Sequence, residues 1–201
     1  LGLYDSTSCQ TYSIPSLPNL KYLGFDGIQT VRLTFFEESQ FPALEFLDIR
    51  NTDGIDMEPL ANAPHLKKLA LRWSGIENME FVRYLPNLEL LYLAVGAEAT
   101  LDLTPMESLT NLKEFMFWIE APCPGGEVLA QLKDLKVLNM YTHDDGVLQG
   151  AAEIPRLDEC GYYALNFDGP AEQGVASVAS VNAHMRNLSG QRWHDYSPIP
   201  D

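Results

Sequence analysis

Apolar residues recur along this chain at the first, fourth and sixth places of a repeating unit. The triplets are Leu20, Leu23, Phe25; Leu44, Leu47, Ile49; Leu66, Leu69, Leu71; Leu88, Leu91, Leu93; Leu112, Phe115, Phe117; and Leu135, Leu138, Met140. Their first positions step by 24, 22, 22, 24 and 23 residues. Residues two apart, such as Leu69 and Leu71, point to one side of a strand, and the residues flanking them point to the other. Units of 22 to 24 residues leave room for a short strand, a turn and an extended or 3₁₀ return, and hardly for a long helix. One such unit cannot bury its apolar face alone, so the pattern predicts neighbours stacked into a parallel solenoid.

The spacing L-x-x-L-x-L resembles the leucine-rich repeat family. The Leu66 unit, LKKLALRWSGIENMEFVRYLPN, is similar to the short 22-residue repeats of bacterial internalins, and its Ile76, Met79, Val82 and Leu85 continue the apolar series. The resemblance implies an α/β solenoid with a curved parallel sheet on the concave face and short 3₁₀ or extended segments on the convex side. One step back puts Leu1 and Leu3 in the fourth and sixth places, so the chain opens inside a repeat; one step forward gives a weaker triplet, Leu157, Cys160 and Tyr162. Residues 1–166 are thus expected to form seven or eight repeats, the first incomplete.

The family's ninth position is usually Asn. Here Ser6, Thr52, Ser74, Gly96, Glu120 and His143 stand there. Ser and Thr supply part of the hydrogen bonding and Gly none, which predicts irregular turns after Gly96 and Glu120. Insertions fall in the same units, among them Pro122 to Gly126. Residues 167–201 are expected to form a C-terminal cap and tail. Val175, Val178, Val181, Met185 and Leu188 fall at helical spacing after Asp168, Gly169 and Pro170, which predicts a capping helix. Trp193 and Tyr196 then add an edge element or fold over the last repeat.

With 13 Lys+Arg against 28 Asp+Glu, the 201-residue chain carries a net charge of -15, which makes duplex nucleic acid and anionic membrane poor partners. A hydrophobic fraction of 46% excludes wholesale disorder. The three cysteines, Cys9, Cys123 and Cys160, form no C-x-x-C pair and no disulfide framework, so a reducing, cytoplasmic setting is expected. No apolar run of about 18 residues occurs and no signal-type start, although the missing initiator Met leaves an upstream targeting segment open. The repeat register divides the charge. The non-core positions of the strand segments carry seven basic and eight acidic residues, so almost all the excess acidity falls on the convex side, edges and tail.

Catalytic signatures are scarce. His143, Asp144 and Asp145 are metal-ligand types, but they sit at a repeat turn without a second ligand group at matching spacing. His194 and Asp195 read as surface, and Asn187-Leu188-Ser189 is a bare glycosylation sequon. Cys160 takes a core slot, and Cys123 lies in an insertion that leaves its exposure open; a structural or incidental role is expected for both. No cofactor is implied. An enzyme centred on Cys123 or on His143, Asp144 and Asp145 is the weakest of the function classes.

The concave face carries more. Down the stack the seventh position gives Tyr4, Asp26, Arg50, Arg72, Ala94, Trp118, Tyr141 and Tyr163, and the fifth gives Gly2, Gly24, Asp48, Ala70, Tyr92, Met116, Asn139 and Gly161. Trp73, Val95 and Ile119 stand at the eighth. Solvent-facing strand positions should be mostly polar, yet Trp73, Tyr92, Met116, Trp118, Tyr141 and Tyr163 collect there beside Arg50 and Arg72, a composition typical of interface hot spots. The competing view is that aromatics favour strands anyway, that the tail covers part of the surface, and that Arg50 and Arg72 simply pair with Asp48 or Asp26. The expectation is a non-enzymatic module that binds another protein through these eight residues. Its alternative is a stoichiometric inhibitor, such as a bacterial immunity protein that neutralises a toxin.

Overall fold

The computed structural model describes residues 2–4, 16–27, 41–52, 55–95, 100–119, 121–142, 144–154, 159–163 and 193–196, the first strand and the last two as backbone only. Among the described residues nine strands form one sheet in chain order: β1 (Gly2–Tyr4), β2 (Tyr22–Asp26), β3 (Phe46–Arg50), β4 (Lys68–Arg72), β5 (Leu90–Val95), β6 (Glu114–Ile119), β7 (Val137–Tyr141), β8 (Glu159–Tyr163) and β9 (Trp193–Tyr196). Every pairing is parallel, and the register follows the repeat, with Leu23 beside Leu47, then Leu69, Leu91, Phe115, Leu138 and Cys160. β9 pairs with β8, so the tail does add an edge element.

The residues at the fourth and sixth repeat positions in β2 to β7 point inward and are buried, as are the first-position leucines from Leu44 to Leu135. The other wall of the core comes from 3₁₀ helices at Glu58–Asn62, Glu80–Tyr84, Thr104–Ser108 and Gly126–Gln131. Each tucks an apolar pair inward: Pro59 and Leu60, Phe81 and Val82, Pro105 and Met106, Val128 and Leu129. Three begin alike, with the side-chain oxygen of Asp56, Asn78 or Asp102 accepting the N–H two residues on, an Asx turn that starts the return segment. At the ninth position Thr52 and Ser74 are buried and donate to backbone carbonyls, Thr52 to Arg50 at 2.9 Å and Ser74 to Ile49 and Arg72 at 3.3 Å.

One element departs from the expected pattern. Asp145–Ala152 is an α-helix, α1, where a turn was read. Asp144 caps it, one carboxylate oxygen accepting the Val147 N–H at 3.1 Å and the other the Cys123 N–H at 3.0 Å. α1 lies directly on the Gly126–Gln131 segment, because Gly126 and Gly150 have no Cβ; one on Gly150 would fall on the Gly126 carbonyl. The turn after Gly96, the residues Glu120 and His143, the weak-triplet residue Leu157, the sequon at Asn187 and the capping helix expected within 167–201 lie outside the described residues; after Glu120 the chain runs through a turn at Pro124 and Gly125, the latter left-handed with φ 80°, into the 3₁₀ helix at Gly126.

Candidate protein-interaction face

The third, fifth and seventh positions of each repeat from β2 to β7 face away from the core and build the concave surface. Its N-terminal half centres on Asp48 of β3, at the fifth position of its repeat, which is 2% exposed. Arg50 grips it in a fork, donating from Nη2 to Oδ2 at 2.6 Å and from Nε to both oxygens at 3.1 and 3.2 Å. These hydrogen bonds raise the Arg50 guanidinium above its ordinary pKa. The Tyr22 hydroxyl donates to Oδ2 at 3.5 Å. Gly24 makes room for that reach, since a Cβ there would sit 2.8 Å from the hydroxyl. Arg72 approaches from the other side, its Nε 3.6 Å from Oδ1, which is an ion pair too long for a hydrogen bond. Its guanidinium carbon lies 4.7 Å over the Tyr92 ring.

The other half is aromatic. Trp118 of β6 stacks on Tyr141 of β7 with ring centroids 4.3 Å apart, and Trp73 meets Trp118 edge-on at 5.7 Å. Trp73 follows β4 and Trp118 lies two strands away. Ala94, on the strand between them, is small enough for the two rings to meet over it. Trp73 is 50% exposed and adopts a left-handed backbone, φ 52°. The same eighth position is left-handed in the two preceding repeats, at Gly27 with φ 70° and Asn51 with φ 50°. In each of these repeats the N–H of that residue donates to the seventh-position carbonyl of the next strand, Gly27 to Arg50, Asn51 to Arg72 and Trp73 to Ala94, so the bend sits where the strand ladder ends. Gly and Asn are suited to it; Trp is not.

Arg50, Arg72, Trp73, Tyr92, Met116 and Trp118 therefore lie together on one surface, and the arginines do pair with Asp48. Tyr141 needs correcting. It is 1% exposed, covered in part by the stacked Trp118, and acts as floor under that ring rather than as contact surface. The Tyr163 side chain lies outside the described residues, though its strand continues the sheet. Reading only the fifth, seventh and eighth positions missed Tyr22, which is 39% exposed, and Phe46, which pack edge-on at 5.0 Å from the third position. Strand alternation alone would have found them.

Cys123 is fully buried. Its Sγ donates to the Ala121 carbonyl, and burial, with the nearby Asp144 charge, pushes the thiol up to about 12. Such a thiol is no nucleophile at neutral pH. Asp144 is committed to capping α1. Among the described residues no group of three or more His, Cys, Asp or Glu is placed to hold a metal ion, and no helix is long and apolar enough to cross a membrane.

No protein-family model matches the sequence, and none of the curated proteins compared with it does. Solved structures do. An internalin C2 from Listeria monocytogenes is 20% identical with a TM-score of 0.53, over 72% of this chain and 71% of that one. An internalin, InlF, from the same organism is 18% identical with a TM-score of 0.55, over 75% of this chain and 48% of that one. The leucine triplets set the strand register, 3₁₀ segments back the sheet, and the likeness to both neighbours is one of fold: the chain has the fold of a leucine-rich repeat solenoid.

Proposed function

We propose that the chain is a protein-interaction module that takes its partner on the concave face, with Arg72, Trp73, Tyr92 and Trp118 at the centre of the contact. The observation that carries this reading is Trp73. A left-handed non-glycine residue costs on the order of 1–3 kcal/mol, and the two preceding repeats avoid much of that with Gly27 and Asn51. At the third repeat a half-exposed Trp sits in the same bend, held edge-on against another Trp. Half of its ring is left open to solvent, and a large rigid aromatic on an open surface is what a binding anchor needs. The likeness to internalins supports the fold on which such a face is displayed.

The inhibitor alternative draws on the acidity of the molecule, and exposed acids such as Asp56, Glu58, Glu77 and Glu80 lie on the convex side. A surface imitating nucleic-acid charge would have to act there. The test is selection of binders from a random-peptide display library, followed by their affinities for Trp73→Asn, Trp118→Ala and, on the convex side, Tyr84→Ala. Loss of about thirtyfold or more at the two tryptophans, equivalent to about 2 kcal/mol, with Tyr84→Ala unaffected, is expected. Loss confined to Tyr84→Ala would move the site to the convex side.

A further inference from the structure

Resting on the concave-face reading, we infer that the partner presents an Asp or Glu carboxylate to Arg72 and an apolar side chain to the Trp73–Trp118 pair. The charges of the face are sorted by depth. Its central anion, Asp48, is sunk and its side chain is 3% exposed, while the two cations around it stay 41% and 36% exposed at Arg50 and Arg72. Between β3 and β4 a visiting group therefore meets guanidinium before it reaches the Asp48 carboxylate, and the half-buried Asp26 lies on the far side of Arg50 from Arg72. The two arginines are not equivalent. Arg50 holds Asp48 in a fork of three hydrogen bonds, and one carboxylate compensates one guanidinium.

Arg72 is the second cation on that single anion. Its Nε is buried without a hydrogen bond, and among the described residues the side chain donates none; it is kept in place by the Tyr92 ring and the 3.6 Å approach to Asp48. The result is a pre-positioned guanidinium with unspent donors, fixed beside an aromatic wall. Planar donors of this kind fit a carboxylate. An incoming Lys or Arg would instead meet like charge with the only deep acid already occupied.

Spacing narrows the partner further. Arg72 and Trp118 occupy the same row two strands apart, which is about 10 Å at the usual strand separation. An extended segment lying across the strands covers that distance in about three residues. The segment expected is thus a carboxylate and an aromatic or branched aliphatic residue two to four positions apart.

The same random-peptide display library tests this. Peptides selected on the wild-type chain should pair an acid with an apolar residue at that spacing. Changing the acid to its amide should weaken binding to the wild type by about tenfold and leave binding to Arg72→Gln unchanged, because the two changes remove one interaction. Selected peptides without the acid, or amide and Arg72→Gln effects that simply add, overturn the inference while sensitivity to Trp118→Ala keeps the concave-face reading. Peptides insensitive to both tryptophan substitutions defeat that reading and the inference with it.

Discussion

At the scale of single residues, the face and the core place opposite demands on side chains. Trp73 shows the first. Replacing it by Asn gives the bend a residue that tolerates φ near 52°, a gain of about 1 kcal/mol, and removes an edge-on ring contact worth about 0.5–1.5 kcal/mol. Trp73→Asn should therefore fold with stability within about 1 kcal/mol of the wild type by urea unfolding, although deleting a well-packed Trp usually costs about 3–5 kcal/mol. A loss in that larger range would mean that Trp73 serves the fold and not the face. Cys123 shows the second demand. An unfolded thiol ionises near 9.0, and the buried one stays protonated until about 12. Its folded pKa is raised, so its contribution is complete below about pH 9 and is lost as pH climbs towards 12, by about 1.4 kcal/mol per pH unit. With Cys9 and Cys160 replaced by Ser, stability should fall between about pH 8 and about pH 10 by about 1.4 kcal/mol more than in the same chain carrying Cys123→Ala. Parallel falls would show that burial does not hold this proton.

Elements form here by two routes, and only one leaves a mark in the sequence. The strands and their register were legible because each triplet is read against a neighbour of identical spacing, so Leu47 can only lie beside Leu23 and Leu69. The 3₁₀ segments follow from repeat length. α1 was not legible. Two of its eight residues are glycines, which disfavour helix, and the segment is too short for an apolar stripe of more than two turns to announce it. Its stability comes from the Asp144 cap and from backbone contact with the Gly126–Gln131 segment. Burial of Cys123 follows from the same docking, which Pro122 to Gly126 disguised as loop composition. Of the face, the aromatic and Arg row was legible from position, whereas the sinking of Asp48 between two arginines and the burial of Tyr141 depend on neighbours across the sheet. Gly150→Ala separates the two routes. Helix propensity favours Ala by about 1 kcal/mol, yet the new methyl would collide with the Gly126 carbonyl, which cannot swing away as a side chain can. The variant should lose about 1–3 kcal/mol in urea unfolding; a gain would mean that α1 does not rest on this contact.

For the whole molecule the question is how a body of net charge -15 receives an anionic segment. Distance answers it. Exposed acids of the convex side lie across the core from the concave face, and at physiological salt the Debye length is about 8 Å, so their field is largely screened there, while Arg72 acts at contact. The long-range and the short-range terms then have opposite signs, and salt acts on them through different rate constants. Raising salt screens the repulsion that an acidic peptide feels on approach, so its association rate constant should rise. The same salt weakens the Arg72–carboxylate pair once formed, so dissociation should also speed up, and equilibrium affinity should move less than either rate. Surface-based kinetics with a peptide chosen from the display library, between about 0.05 and about 0.5 M salt, read both. In Arg72→Gln the dissociation rate should lose most of its salt dependence while the association rate keeps its own. An association rate that falls steeply with salt would mean that the approaching segment is basic and is drawn in by the acidic body, and the carboxylate would have to be given up.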